Sequence, residues 1–239
     1  MIQFYAPEIE STGLLPESDS AHCCRVLRMK EGDEVVVVDG KGKRFHCVII
    51  EAHPKRTALE IISIEEVPSH WGVNITIAVA PTKNADRMEW MLEKAVEIGV
   101  DRVVLLRCKR SERKGMKLER LEKVMISAMK QSLKGVLPEL TELSDFKTFV
   151  SEVKGDCQKF FGYCSPDYPR KEFVRECRAG EDVVIMIGPE GDFAPDEVEF
   201  AVANGFVPVT FGESRLRTET AALYGVTATH IINQINAKQ

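Results

Sequence analysis

The segment VVIMIGPEGDF (Val183–Phe193) runs from a short apolar stretch into a turn that holds Gly188, Pro189 and Gly191. The apolar stretch has no polar alternation, which is typical of a strand buried on both faces of a parallel sheet. In such sheets, ligands bind in loops that follow the carboxyl ends of the strands. The segment therefore predicts a central strand followed by a loop whose backbone amides face a ligand, with an ordinary tight turn as the alternative.

A second segment, FGESRLRTETAAL (Phe211–Leu223), has the same layout. It leaves the apolar stretch VPVTF through Gly212 and enters a helix that begins with Thr218, Glu219 and Thr220. The common phosphate-binding and nucleophile motifs (G-x-G-x-x-G, G-x-x-x-x-G-K-[ST] and G-x-S-x-G) are absent from the sequence. The two loops together predict a ligand site that does not belong to those standard classes.

From Val73 onward, apolar strands alternate with amphipathic helices, which predicts a mainly parallel sheet with helices on both faces. Further strands are expected at NITIAVA (Asn74–Ala80), RVVLL (Arg102–Leu106) and KFFGYC (Lys159–Cys164). Helices are expected from an Asn84 cap to Gly99, from about Lys117, over about 195–204 and from Thr218.

The first seventy residues instead predict short strands joined by turns. These strands are EVVVVD (Glu34–Asp39), RFHCVII (Arg44–Ile50) and ALEIISIEE (Ala58–Glu66), and a short helix is expected over His22–Met29. This spacing suits a small barrel or a curled sheet. The break at Pro68–Gly72 places the expected domain boundary, so the two domains are expected to span 1–70 and 73–239.

Charge is distributed unevenly along the chain. The net charge is −5, yet residues 107–134 hold ten lysines and arginines against three glutamates, a local excess of seven. Such a segment can bind nucleic-acid phosphates, because local positive charge matters more than the total. A solvated helix face with Glu–Lys pairing is the alternative.

Composition limits the remaining possibilities. The seven cysteines are an odd number and form no C-x-x-C pair, which indicates reduced thiols in a cytoplasmic protein. No apolar stretch is long enough to span a membrane, and the start MIQFYAPEIE lacks the layout of a signal peptide. No membrane partner is therefore expected, and the five histidines are too scattered to predict a metal site.

Four segments resemble the SPOUT methyltransferases and, within them, the family of 16S ribosomal RNA uridine-N3 methyltransferases. They are HCCRVLRMKEGDEV, KNADRMEWMLEKAVEIGVDRVVLL, IGPEGDFAPDEVEFA and ESRLRTETAAL. SAMKQSLKGVLPEL (Ser127–Leu140) is similar as well. Four positions depart from the common residues of the family: Asn84 and Asp192 for glycines, Lys130 for an acid and Lys134 for an arginine.

The resemblance implies an α/β protein with a small PUA-like RNA-binding β-barrel at the amino terminus. The carboxyl-terminal SPOUT domain is expected to hold a deep trefoil knot, an exception to the rule that chains do not thread themselves. A homodimer is implied too. The small residues Ala221, Ala222, Gly225 and Ala228 fit close helix packing, either in that dimer or within the knot.

The implied activity is methylation of uracil N3 in 16S rRNA of the small ribosomal subunit, with S-adenosyl-L-methionine as cofactor and no metal. Arg217 is the expected catalytic residue, with Arg215 in reserve, and Glu219 either accepts the proton or caps its helix. The expected cofactor-binding residues are Ile187, Gly188, Glu190, Gly191, Phe211, Gly212 and Leu216.

RNA is expected to contact basic residues in both domains, namely Arg25, Arg28, Arg44, Lys109, Arg110, Arg113, Lys130 and Lys134. Two other functions remain open. One is SPOUT methylation of a ribose 2′-hydroxyl or of guanine N1 in transfer RNA. The other is a non-catalytic RNA-binding or subunit-assembly factor with a vestigial cofactor pocket.

Overall fold

A computed structural model describes residues 2–68, 72–113 and 115–236 and divides the chain into two compact units. The first unit comprises Met1–Ser69 and Met125–Leu137, and the second comprises His70–Val124 and Pro138–Gln239. Part of the expected boundary, residues 69–71, lies outside the described residues. The assignment of 125–137 to the first unit is a feature that no pattern in the sequence predicts.

The first unit contains a four-stranded sheet in the order β1-β2-β3-β4. Its strands are β1 (Gln3–Tyr5), β2 (Glu34–Val38), β3 (Lys43–Glu51) and β4 (Ala58–Glu66). β1 runs parallel to β2, whereas β2, β3 and β4 pair antiparallel. The three predicted strands are present, but β1 is too short to show a period in the sequence. Closure of this sheet into a barrel stays a prediction.

Helical structure in the first unit comprises α1 (Ile9–Thr12), α2 (Glu17–Ala21) and a π-helical turn over His22–Val26. The helix expected over His22–Met29 therefore begins before His22, with α2, and ends at Val26. It ends because Arg28 adopts a left-handed backbone conformation, with φ of 57°, and the Met29 N–H bonds back to the Cys23 carbonyl. Arg28 thus lies outside the helix, which corrects the expectation of a helix that continues to Met29.

The second unit contains a seven-stranded sheet in the order β7-β6-β5-β10-β8-β11-β9, and all its pairings are parallel. The predicted parallel sheet is thereby confirmed. Its strands are β5 (Ile75–Val79), β6 (Arg102–Arg107), β7 (Glu139–Asp145), β8 (Gln158–Gly162), β9 (Lys171–Glu172), β10 (Val183–Ile187) and β11 (Val207–Thr210). Every residue of β10 is buried, as its unbroken apolar sequence predicts.

The helices of the second unit cover both faces of its sheet. They are α3 (Ala85–Ile98), α4 (Leu118–Gln131, whose last seven residues belong to the first unit), α5 (Phe146–Glu152), α6 (Phe173–Glu176), α7 (Pro195–Ala203) and α8 (Thr218–Asn236). Ile185 of β10 contacts Gly225 of α8, whereas the adjacent Met186 packs with residues of α5 and α7. Neighbouring strand residues point to opposite faces, so helices lie on both.

The predicted cap of α3 is confirmed in detail. Asn84 Oδ1 accepts a hydrogen bond of 2.9 Å from the Asp86 N–H, and the helix ends at Gly99, whose φ is 127°. This cap fixes where the chain turns from the carboxyl end of β5 into α3. Residues in the first turn of α3 are thereby held at the edge of the sheet where the candidate site lies.

Two further features concern only the described residues, 2–68, 72–113 and 115–236. In them, no helix is both long enough and apolar enough to cross a membrane. The same residues contain no group of three or more His, Cys, Asp or Glu side chains arranged to hold a metal ion.

Candidate functional site

A cavity of about 790 Å³ opens at the carboxyl edge of the parallel sheet in the second unit. The loops that follow β8, β10 and β11 form its walls, with additional contributions from Arg87 and Arg110. Its volume is within the range of about 300–1,000 Å³ that is usual for small-molecule sites. Polar and apolar groups both line the cavity, which suits a ligand with a charged part and a flat apolar part.

The first wall is the loop after β10. Phe193 anchors this loop: its ring is buried and packs at centroid distances of 5.4 Å from Phe146 and 5.8 Å from Phe161. A Cβ atom placed on Gly188 would lie 3.2 Å from the Phe193 ring. Glycine at position 188 therefore lets the loop fold closely over its own anchor.

Glu190 also ties this loop to the rest of the sheet edge. Its Oε1 accepts a hydrogen bond of 3.1 Å from the backbone N–H of Lys83, in the loop after β5. The side chain thus fixes the loop. Its backbone remains on the cavity wall.

The second wall is the loop after β11. Gly212 has a φ of 109°, in the left-handed region, and a Cβ atom there would meet no neighbour within 4 Å. The hydroxyl of Thr218, at the start of α8, donates a hydrogen bond of 3.1 Å to the Gly188 carbonyl. This bond joins the two loops directly, so Gly191 and Leu216 line one cavity rather than two separate turns.

All seven residues expected to bind the cofactor lie on this cavity, namely Ile187, Gly188, Glu190, Gly191, Phe211, Gly212 and Leu216. The expected catalytic residue Arg217 and the reserve Arg215 line it as well, and both side chains are exposed. The structure therefore brings together residues that are up to thirty positions apart in the sequence (187 to 217).

Glu219 and Arg87 form an ion pair on the cavity wall. Glu219 is buried in the first turn of α8, and its Oε1 lies 3.7 Å from Arg87 Nε in the first turn of α3. No sequence motif identifies Arg87 as a site residue, because its partner Glu219 is distant along the chain. The signal that could have identified it is its position three residues after the Asn84 cap, just beyond the carboxyl end of a central strand.

The cavity also contains a thiol, that of Cys164. Burial, and then the nearby Asp192 carboxylate, raise the pKa of this thiol above its ordinary value. A raised pKa leaves the thiol protonated near neutral pH, and the thiolate is the nucleophilic form. The electrostatics of the site therefore disfavour covalent catalysis by Cys164.

Three of the expected RNA-binding residues belong to the second unit, and each contacts protein groups. Lys109 Nζ lies 2.6 Å from Asp196 Oδ2, and Arg113 Nη2 donates to the Lys83 carbonyl at 3.1 Å. Arg110 Nη1 donates to the Gly191 carbonyl at 2.8 Å. These contacts organise loops around the cavity.

The other five belong to the first unit. Arg25 and Arg28 are exposed, and Lys134 is half-buried. Arg44 instead contacts Glu65 at 2.7 Å and the Leu133 carbonyl at 2.9 Å, and Lys130 contacts Asp19 at 2.7 Å. Arg44 and Lys130 thus hold residues 125–137 against the rest of the unit.

The buried carboxylate of Glu197 fixes the loop after β6 to the start of α7. It accepts hydrogen bonds of 2.8 Å from the backbone N–H groups of both Lys109 and Ala194. Replacing Glu197 by glutamine puts an amide donor against one of these N–H groups and should cost about 1–3 kcal/mol of folding free energy. Glu199→Gln, at an exposed position on the same helix, is the control. The thermal midpoint of Glu197→Gln should be lower than that of this control, and equal midpoints would contradict the prediction.

Comparison with protein families gives two matches. Residues 69–230 match the family described as an RNA methyltransferase domain. Residues 15–62 match the family described as an RNA methyltransferase PUA domain. Together these matches extend over most of the chain, and the first includes every residue that lines the cavity.

Among individual proteins, the chain is 30% identical to the ribosomal RNA small subunit methyltransferase E of Synechocystis sp., over 97% of this chain and 76% of that protein. It is 25% identical to the protein of the same name from Bacillus subtilis, over 93% and 90% of the two chains.

Two solved structures are also similar. One is described as a probable rRNA-methyltransferase from Porphyromonas gingivalis, with a TM-score of 0.95 and 44% identity over 98% of this chain and 99% of that chain. The other is the ribosomal RNA small subunit methyltransferase E of Neisseria gonorrhoeae bound to S-adenosyl methionine. It has a TM-score of 0.82 and 28% identity, over 97% and 98% of the two chains.

Proposed function

The chain belongs to the RNA methyltransferase family, and from that premise we propose that it methylates N3 of one specific uridine in 16S ribosomal RNA. The proposed methyl donor is S-adenosylmethionine, and the proposed substrate is the assembled small ribosomal subunit. The observation that carries the proposal is the single cavity formed by the loops after β10 and β11. Relatives named for ribosomal RNA methylation support it along nearly the full chain.

The residues around the cavity fit this donor. Within the described part of the chain, the backbone N–H groups of Glu190, Gly191 and Leu216 donate to no protein acceptor, so they can bind the polar edge of an adenosine. Apolar walls are available for its flat rings from Ile187, Phe211 and Leu216. Gly188 and Gly212, which lack side chains, allow close approach of the ligand to the backbone.

The proposed chemistry gives the protein a limited task. When bound, S-adenosylmethionine supplies a methyl group that is already activated as a sulfonium, so the reaction needs no metal. Uracil N3 carries a proton in the neutral base, and its lone pair becomes available only in the imide anion that forms when this proton passes to water. The protein must therefore stabilise negative charge on the uracil and hold N3 in line with the methyl group.

Arg217 is our proposed catalytic residue. Its guanidinium is exposed at the junction between the second loop and α8, on the wall of the cavity. A guanidinium stays charged at all working pH values and presents donors in a plane, which suits the oxygens O2 and O4 of a uracil anion. Glu219 is buried against Arg87, and we assign it the structural role of joining α8 to α3.

For RNA binding, we propose that Arg25 and Arg28 contribute from the first unit, since both side chains are exposed. Phosphate contacts of this kind hold the RNA without selecting a sequence. The target uridine must present its N3 edge, so we expect it to be single-stranded or flipped out of its stack. Selection of one uridine then depends on the shape of the assembled subunit.

We also propose that the protein is a homodimer that uses the outer face of α8. That face forms an apolar groove with α6, in which Val174, Tyr224, Ile231 and Ile235 are exposed, the last by 77%. The small residues Ala221, Ala222, Gly225 and Ala228 are buried, and Ala228 also lines this groove. Exposed apolar surface of this kind is typical of a protein interface.

A substitution in the groove tests the dimer. Ile231→Asp places a charge in the proposed interface and should convert the dimer to a monomer, because an unpaired buried charge is costly. Light scattering coupled to size-exclusion chromatography measures the mass directly. Val202→Asp, at an exposed apolar position on α7, is the matched control and should keep the dimer mass. A monomeric wild type, or a variant that stays dimeric, would contradict the proposed interface.

The finer features of the fold belong to the same proposal. We propose a PUA-like barrel over 1–70 and a SPOUT domain over 73–239 that contains a deep trefoil knot. The strand order supports the proposed knot, because β10 lies between β5 and β8 in the sheet although both strands precede it in the sequence. The match of residues 15–62 to the PUA family supports the smaller domain.

The proposed activity is tested by incubating the protein and S-adenosylmethionine with small subunits that lack the modification, and separately with naked 16S rRNA and with transfer RNA. Mass spectrometry of the digested nucleosides should then show N3-methyluridine, with more product from the subunits. Ribose-methylated nucleosides, or N1-methylguanosine from transfer RNA, would instead support the other SPOUT activities. No methylated product from any RNA would support a non-catalytic RNA-binding factor.

A further inference from the structure

Two charged side chains, Arg110 and Asp192, hold the loop after β10 from different sides. We propose that they form a clamp that positions this loop, so that both residues set the affinity for S-adenosylmethionine and neither serves to bind RNA. The inference rests on the proposed function, because it concerns the same cavity. It assigns to Arg110 a role different from the RNA contact that its place in a basic segment predicts.

Arg110 reaches the loop from the end of β6. Its Nη1 donates to the Gly191 carbonyl at 2.8 Å and is 3.3 Å from the Phe193 carbonyl. Its aliphatic part also covers Gly191: a Cβ atom placed on that glycine would lie 3.5 Å from Arg110 Cβ. A charged donor shared by two carbonyls of one turn is stronger than a neutral hydrogen bond. Arg110 therefore fixes the second half of the loop.

The base of Arg110 is itself held in place. The N–H of the neighbouring Lys109 donates to the buried Glu197 carboxylate at 2.8 Å. The Cys108 N–H donates to Ser111 Oγ at 3.1 Å. These bonds fix the turn from which the Arg110 side chain extends. A side chain with a fixed base loses less freedom when it binds, which favours a positioning role over a mobile contact with RNA.

Asp192 reaches across the cavity to another wall. Its Oδ2 accepts a hydrogen bond of 2.9 Å from the Cys164 N–H, in the loop after β8, and its Oδ1 accepts one of 2.8 Å from the Phe193 N–H. The residue has a φ of 61°, a conformation in which glycine is favoured over residues with a side chain. The presence of a carboxylate at such a position is explained by its two hydrogen bonds.

The two contacts act on opposite sides of the loop. In the sheet, β8 is the neighbour of β10 on one side, whereas β6 lies beyond β5 on the other. The free amides of Glu190 and Gly191 are in the stretch that the clamp holds. Fixing these amides before the ligand arrives lowers the entropy lost on binding, and this loss otherwise weakens affinity.

Calorimetric titration with S-adenosylmethionine tests the clamp. Arg110→Ala and Asp192→Gly should each raise the Kd about tenfold, since each removes a charge-assisted bond that shapes the site. Glycine adopts the left-handed backbone conformation of position 192 without strain. The thermal midpoint of Asp192→Gly should therefore not fall, although its affinity for the cofactor does. This separation distinguishes positioning from general loss of stability. Arg110→Lys keeps the charge and should recover part of the affinity.

Two further measurements complete the test. Arg102→Ala, which removes an exposed arginine at the other end of β6, is the matched control and should leave the Kd within about twofold of wild type. Filter binding of small subunits should be unchanged in Arg110→Ala. An unchanged cofactor Kd in Arg110→Ala or Asp192→Gly would overturn the clamp, as would weakened RNA binding by Arg110→Ala alone. A wild type that does not bind the cofactor would instead refute the proposed function.

Discussion

Arg217→Ala is expected to lower the rate of methyl transfer by about 100- to 1,000-fold, the usual loss when one charge-stabilising donor is removed from an active site. The Kd for S-adenosylmethionine should stay within about twofold of wild type, because the proposed role of Arg217 is toward the uracil anion and not toward the donor. Single-turnover methylation of small subunits measures the rate, and calorimetry measures the affinity.

Arg215→Ala provides the comparison, since Arg215 lines the same cavity with the same charge. A larger loss of rate in Arg215→Ala than in Arg217→Ala would exchange the roles of the two residues. Equal losses of rate and cofactor affinity in Arg217→Ala would make Arg217 a residue that binds the donor.

Phe193→Ala is expected to lower the free energy of unfolding by about 3–5 kcal/mol, as is usual for removal of a buried phenylalanine. The ring is only 1% exposed and contacts Phe146 and Phe161 on the face of the sheet covered by α5 and α7. Because the same ring packs against Gly188, its loss should also weaken cofactor binding. Urea denaturation and calorimetry measure the two effects.

Phe200→Ala is the control for this substitution, since Phe200 is a phenylalanine that is only partly buried, on the neighbouring helix α7. Phe200→Ala should lower the free energy of unfolding by less than Phe193→Ala does, and its Kd for the cofactor should stay near that of wild type. If Phe193→Ala lowers the free energy of unfolding by less than about 1 kcal/mol, as a typical surface substitution does, the loop has another anchor.

The parallel sheet of the second unit was predictable because its central strands are continuously apolar and its long helices have a clear period. The missed elements lack those signals. β7 is an edge strand with no fully buried residue, and α6 has four residues, fewer than two turns. The assignment of residues 125–137 to the first unit was not predictable either, because helical periodicity shows that a face is buried and not which core buries it.

The candidate site could also be predicted from the sequence only in part. The meeting of the two glycine-containing loops was predictable because loops after parallel strands meet at one edge of the sheet, whereas the choice of seven individual residues came from the family resemblance. The partners of isolated charges were not, since they depend on contacts between distant segments. Lys130 contacts Asp19, and Arg87 contacts Glu219, at separations that no sequence motif encodes. Lys109, Arg110, Arg113 and Lys130 of the charged segment contact protein groups, and their contacts with RNA stay a prediction.

A calorimetric titration of the wild-type protein with S-adenosylmethionine tests the central claim most directly, because every proposed step requires that the cavity hold this donor. The account predicts saturable binding with one site per chain and a micromolar Kd. An absence of binding heat at millimolar donor, confirmed by an unchanged thermal midpoint at the same concentration, would contradict the account.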